Sequence, residues 1–291
     1  MIFDRYIVVD WSASNRPRTG RDSIWVCGLT ADGRGSTANP CTRGSAEFMI
    51  RDLLRHYVDS GERVLIGCDF PYGYPVGFAA ELGLTGKPWR AIWDYLTVRL
   101  CDDAATNISN RFQVAAGINA RLEYHVFWGR PATQPSDHLS ARRDQVAYAH
   151  GAAEAGLGEW RQVEKILRAR KLRPHSAWQL LGSGSVGSQA LTGIPVLSRL
   201  RHDADLAPVS LVWPFEVEIP QLARGRAAVI HAEVWPSLSG GTAVSGQVKD
   251  QTQVMSTARE LRELDRAGDL AGLFKPPHAA REEGWILGVR E

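Results

Sequence analysis

Tyr6-Ile-Val-Val-Asp-Trp-Ser-Ala-Ser-Asn15 is the stretch on which the fold turns. Tyr6, Ile7, Val8 and Val9 have the length and composition of a buried strand. The run ends in Asp10, and Ser12, Ser14 and Asn15 read as the loop beyond it. A carboxylate at the end of a buried strand is costly unless it is paired or binds a cation. Asp10 therefore calls for a partner supplied from elsewhere in the chain.

Immediately downstream, Arg16, Arg18 and Arg21 surround Gly20 in a basic turn, and Ser23 to Thr30 reads as a second strand. Ala31 to Gly35 reverses the chain. A weak third strand between Ser36 and Thr42 carries Pro40, which suits a sheet edge. Ser45 is expected to cap a helix running to about Asp59, with Phe48, Leu53, Leu54 and Tyr57 near one face and Gly61 stopping it. Val64 to Cys68 is then another buried strand, and it too ends in an aspartate, Asp69, before Pro71 and Pro75.

From about Val76 to Asp205 the pattern is helical and irregular. Helices are expected at 89–104, 108–122 and 160–172, with a Pro-containing loop at 129–136. Ser183 to Pro195 reads as a glycine- and serine-rich turn leading into a short helix. Strands resume at 209–216 and at 227–235, the second ending near Glu233. Gly240, Gly241 and Gly246 mark a loop, and a helix from about Gln247 to Arg266 carries Asp250 in its first turn.

A hairpin, a crossover helix and a parallel strand predict one α/β domain: a mixed sheet with helices on its faces and a large helical insert at 76–205. If the Asp10 and Asp69 strands are parallel neighbours, their backbones lie ~4.8 Å apart. Both acids then sit at carboxyl ends of strands, where open α/β sheets place their sites. Glu233 joins them if its strand is also parallel, and Asp250 opens a helix that packs over the same edge. Four such carboxylates are hard oxygen ligands suited to magnesium or manganese. A pair of these ions ~4 Å apart activates water and stabilises the leaving oxygen in phosphodiester hydrolysis.

Composition sets the bounds. A net charge of +2 over 291 residues does not by itself argue for a polyanion partner. The four cysteines, Cys27, Cys41, Cys68 and Cys101, include no C-x-x-C pair, which argues against a thiolate zinc site and for reduced thiols in a cytosol. The start of the chain lacks the pattern of a signal peptide, and no stretch approaches a membrane span, so a cytoplasmic location without membrane contact is expected.

Asp10 before a hairpin, Asp69-Phe-Pro-Tyr-Gly-Tyr-Pro75, His231-Ala-Glu-Val-Trp-Pro-Ser237 and Lys249-Asp-Gln-Thr-Gln253 resemble the predicted RNase H-like nucleases of a domain-of-unknown-function family. Ser183 to Pro195 and the closing Glu282-Glu-Gly-Trp-Ile-Leu-Gly-Val289 resemble a subgroup of it, some members of which carry a label for molybdopterin guanine dinucleotide synthesis. The resemblance runs along most of the chain. It implies an RNase H-like five-stranded sheet in the order 3-2-1-4-5. It also implies a metal-dependent nuclease acting on nucleic acid or a nucleotide, with Asp10, Asp69, Glu233 and Asp250 as ligands. Ser12, Arg16 and Ser185 are candidate substrate contacts. Two alternatives are an actin-like nucleotide phosphotransferase, whose fold also begins with an aspartate and a hairpin, and a non-catalytic binding module on the same fold.

Several features have plainer readings. Asp10 can cap its turn through Ser12, and Asp250 can cap its helix. Glu47 suits the dipole of the early helix. Gly182 to Gly187 spells G-x-G-x-x-G, but no convincing strand precedes it, so a dinucleotide site is rejected and only an anion-binding turn is retained. Arg161, Lys165, Arg168 and Lys171 read as a solvated helix face, and His231 as a core histidine. The ten tryptophans read as core and insert packing; Trp11 and Trp235 also flank proposed acids, the position of a ring that stacks on a base.

Overall fold

The structure, a computed structural model, describes residues 1–149, 156–216, 226–239 and 248–290. Among these residues, six strands form one mixed sheet: β1 (Arg5–Asp10), β2 (Trp25–Thr30), β3 (Gly35–Ala38), β4 (Arg63–Cys68), β5 (Ser210–Val212) and β6 (Ala228–Glu233), in the order β3-β2-β1-β4-β6-β5. β1, β4, β6 and β5 run parallel, and β2 and β3 are antiparallel additions on the β1 side. The Asp10 and Asp69 strands are therefore adjacent and parallel, as the sequence predicts. The sheet has six strands instead of five because the short β5 adds an edge beyond β6. β5 covers only part of the expected 209–216, since the chain turns at 213–216, where the Glu216 amide donates to the Val212 carbonyl at 2.9 Å.

Among the described residues, eight helices flank the sheet: α1 (Arg43–Asp59), α2 (Phe78–Glu81), α3 (Pro88–Arg99), α4 (Arg111–Leu122), α5 (Gln162–Ala169), α6 (Val186–Arg201), α7 (Lys249–Ala267) and α8 (Ala280–Glu283). α2 to α6 all fall between β4 and β5, within the expected insert. Strand alternation sorts the core into two layers. Ile7, Val9, Val64, Ile66 and Val229 face α1, α3, α4 and α6. Tyr6, Val8, Leu65 and Ile230 face α5, α7 and the C-terminal Trp285 to Val289. Each fully buried aliphatic contributes about 1.5–3 kcal/mol. No helix among the described residues is long and apolar enough to cross a membrane.

α1 is capped one turn earlier than expected. Thr42 is the N-cap and Ser45 completes a reciprocal capping box from the third helical position. Ala46, Ile50 and Leu54, spaced four apart, bury its inner face, whereas Phe48 is exposed. Glu47 therefore lies beyond the first turn, and its oxygens are taken by Arg199 (2.8 and 2.6 Å) and Arg51 (2.5 Å). An ion-pair network, not the helix dipole, accounts for it.

α7 is positioned by its far end. Buried Asp265 accepts the Phe3 amide (2.9 Å) and the Tyr6 hydroxyl (2.6 Å), fixing the end of α7 against the start of β1. Fifteen helical residues from Asp265 back to Asp250 span about 22 Å. Seven strand residues from Phe3 to Asp10 span about 23 Å. The match brings Asp250 level with Asp10.

α6 is longer than the short helix expected and is buried nearly all round. Gly193 lets it lie on Phe70, the residue after Asp69: a Cβ on Gly193 would come within 2.4 Å of the ring. Gly193→Ala is expected to lower stability by about 1–3 kcal/mol through overpacking, despite Ala's better helix propensity. A thermal melt checks this, and an unchanged or higher Tm would mean that Phe70 yields.

Candidate functional site

Asp10 closes β1 and Asp69 follows β4 directly. Val9 pairs with Cys68, so the two aspartates are neighbours one step further along, on the face that α7 covers. The Trp11 amide donates to Asp69 Oδ1 at 2.8 Å, and the Asp69 amide donates to the Val9 carbonyl at 3.2 Å. These bonds hold the two strand ends in register. Asp250 Oδ2 accepts the amide of Asp22, at 2.7 Å, across from the loop after β1. Asp22 has a left-handed backbone (φ 52°), which turns its amide toward α7.

The electrostatics identify which acids act together. Burial pushes the Asp10 carboxyl well above its usual range, and Asp69, Asp250 and Asp22 push it further. Burial raises Asp69 to about 6, with Asp250 adding to the rise while the Trp11 amide and Asp10 act the other way. The two carboxyls act on each other directly, Asp69 raising the pKa of Asp10 and Asp10 lowering that of Asp69. Without a counter-ion the pair meets its mutual repulsion by retaining a proton. That is the behaviour of two hard oxygen ligands that a divalent cation would relieve, so the donor chemistry fits magnesium or manganese. Among the described residues, however, no group of three or more His, Cys, Asp or Glu side chains is arranged to hold a metal ion. The expected cluster of four is replaced by a pair with Asp250 and Asp22 beside it.

Glu233 is the acid that does not join. It pairs across the sheet with Cys68, not with Asp69, so by alternation it belongs to the opposite face. Its oxygens accept Arg161 Nη1 (2.8 Å) and Nη2 (2.6 Å), and Oε2 also accepts the Tyr72 amide (3.0 Å). Both partners are essentially inaccessible to solvent. Arg161 is thus a core residue and not part of a solvated face. It precedes the first helical residue of α5 and also binds Glu164 (3.0 Å) and the Glu283 carbonyl (3.1 Å). Glu283 in turn accepts the amides of Val76 (2.9 Å) and Gln162 (2.6 Å). A Cβ on Gly73 would meet the Glu283 carbonyl at 2.5 Å. The segment after Asp69 and the closing Glu282-Glu-Gly are therefore two halves of one clamp.

The other candidates lie on the loop after β1 and at the start of α6. Ser12 Oγ donates to the Asp22 carbonyl at 3.4 Å, which places it on the Asp22 loop beside Asp250. Arg16 is exposed further along the loop, with its carbonyl accepting Ser14 Oγ (3.0 Å). Ser185 stands at the N-cap of α6 without a side-chain capping bond. α6 touches the loop through Gln189, whose amide nitrogen donates to the Trp11 carbonyl. Trp11 itself is core: its Nε1 donates to Thr192 at 3.1 Å and its ring packs on Phe70, so it has no face free for a base. Trp235 packs against the α7-side core. His231 is fully buried, hydrogen-bonded to Ser210 at 2.8 Å, and burial drives it down to about 3, as a core histidine should be. The glycines at 240, 241 and 246, and Gln247, lie outside the described residues. The four cysteines are free thiols.

The residue that sequence reasoning missed is Arg43. Its side chain is buried, forks onto Asp102 (2.6 and 2.5 Å), and donates through Nη1 to the carbonyls of Ser12 (3.2 Å) and Ser14 (2.7 Å). It braces the loop that leaves Asp10. An arginine opening a helix runs against the macrodipole, and that conflict was the available signal. No family model, no curated protein and no solved structure matches the chain.

Proposed function

We propose that the protein is a divalent-metal-dependent phosphodiesterase of RNase H-like fold, acting on nucleic acid or a nucleotide. The observation that carries this reading is the coupled pair, Asp10 and Asp69, delivered by adjacent parallel strands at the carboxyl edge of the sheet. Asp10 and Asp69 hold the ion, and Asp250, fixed on the Asp22 amide, adds the third negative charge of the site. A bound magnesium or manganese ion supplies stabilisation of the phosphoryl oxygens and a water of lowered pKa. Arg43 and the Trp11 amide keep the Asp10 loop and Asp69 in place. Ser12 and Arg16, on the loop after β1, and Ser185, at the start of α6, are assigned as substrate contacts. Glu233 has no part in the site, because its charge is spent on Arg161.

The test is cleavage. Wild-type protein is expected to cut nucleic acid or a dinucleotide with magnesium or manganese, without ATP, and to stop in chelator. No cleavage of any of these, together with tight saturable ATP binding, would overturn the reading in favour of a phosphotransferase.

A further inference from the structure

The loop between β1 and β2 carries three arginines, Arg16, Arg18 and Arg21, and all three are exposed. Among the described residues, the one carboxylate that Arg18 and Arg21 approach is Asp22, at 3.6 and 3.7 Å, too far for a hydrogen bond. The Arg16 side chain has no ion pair among them. Three positive charges thus face one exposed negative charge. Arginines elsewhere are committed: Arg5, Arg63, Arg143, Arg199 and Arg201 each fork onto a carboxylate at 2.6–3.1 Å. The guanidinium donors of this loop remain available.

The main chain that carries them is pinned along its length. Arg43 holds the Ser12 and Ser14 carbonyls, and buried Arg111, the first residue of α4, donates to the side-chain oxygen of Asn15. Asn107 Nδ2 donates to the Arg16 carbonyl (3.3 Å), the Arg18 amide to the Cys41 carbonyl (2.8 Å) and the Gly20 amide to Asn39 Oδ1 (2.6 Å). One end of the loop leaves β1 at Asp10. The other, at Asp22, is bonded to Asp250. Both ends are therefore tied to acids of the site, and the loop is ordered before any ligand arrives, which lowers the cost of binding.

We infer that Arg16, Arg18 and Arg21 form a docking surface for the phosphodiester backbone of a polynucleotide. This rests on the phosphodiesterase reading and narrows its substrate from a nucleotide to a nucleic acid strand. An acid site repels a phosphate chain, and cations on the adjoining loop offset that repulsion. All three are arginines, whose planar guanidinium engages a phosphate through two N–H groups. Exposure decides between a strand and a free nucleotide. One solvated contact to one phosphate gains little, whereas a polynucleotide also gains from the counterions that each neutralised phosphate releases. Backbone contacts of this kind carry no sequence preference.

The experiment measures fluorescence anisotropy of a labelled single-stranded DNA 20-mer with the full chain in chelator, so that neither metal nor cleavage takes part. The same sequence as RNA and as duplex DNA forms two further arms, and the tightest identifies the strand form. The wild type is expected to bind with a log–log salt slope of about −2 for single strands, from three contacts. The double variant Arg18→Gln, Arg21→Gln should bind about tenfold or more weakly at low salt, with a slope shallower by about 1.4. Arg34→Gln with Arg266→Gln, exposed arginines in the β2–β3 turn and the last turn of α7, removes the same charge and should bind as the wild type does. A wild type that binds none of the three strands, a loop variant no weaker than this control, or competition by AMP at equal phosphate concentration overturns the surface. Strand binding that the loop variant loses, without cleavage when metal is added, upholds the surface and overturns the phosphodiesterase reading. Cleavage of a dinucleotide without strand binding does the reverse.

Discussion

Asp10→Asn and Asp69→Asn are each expected to lose most of the stability that magnesium or manganese gives the wild-type protein. An ion at 100 times its Kd stabilises the native state by about 2.7 kcal/mol, which is about 5–10 °C in Tm for a chain of this size. Either substitution preserves the local bonds. In Asp69→Asn the side-chain oxygen still accepts the Trp11 amide, and Asp10→Asn offers an amide beside Asp69. What changes is charge. In chelator both variants should be more stable than the wild type above neutral pH. The sign follows from the direction of the shift. Asp69 takes up its proton more readily folded, at about 6, than unfolded, near 3.8. Its stabilising contribution is present at low pH and is lost as pH rises through about 6. The variants' advantage in chelator should therefore appear at pH 8 and fade at pH 4. Thermal melts of the three proteins, with and without metal at both pH values, check this. Variants that keep the wild-type metal response would remove the pair from the site.

Glu233→Gln should behave in the opposite way, leaving the metal response intact. Arg161→Met is expected to destabilise the protein by about 3–5 kcal/mol, since it strands Glu233 and Glu164 as buried, unpaired charges. Burial already raises Glu164 to about 7 even with Arg161 beside it. Combining Arg161→Met with Glu233→Gln should recover part of that loss, because the two changes act on one interaction. Denaturant unfolding of the single and double variants measures the coupling. Additive losses would show that the pair does not act as a unit, and loss of the metal response in Glu233→Gln would return Glu233 to the site.

These two outcomes mark how far the residues alone could be read. Asp10 and Asp69 were legible because each ends a short apolar run, and a hairpin followed by a crossover helix makes those runs parallel neighbours. Asp250 was legible because α7 is amphipathic and long enough to reach back along β1. Glu233 also ends an apolar run, but which face it takes depends on a one-residue register between β4 and β6. Cys68, not Asp69, stands opposite it, and no local pattern encodes that choice. Arg161 was misread for a related reason. Helical spacing groups it with Lys165 and Arg168, yet it precedes the first turn of α5 and leaves that face. The burial of Arg43 and Arg111 depends on contacts more than fifty residues away along the chain, to Asp102 and to Ser188, which no sequence period reveals.

The most direct measurement is the position of bound manganese. A crystal of the wild-type protein soaked in millimolar manganese and measured at the manganese absorption edge should show anomalous density between the carboxylates of Asp10 and Asp69, at the carboxyl ends of β1 and β4. Density beside Glu233 alone, or none at the aspartate pair, would contradict the assignment.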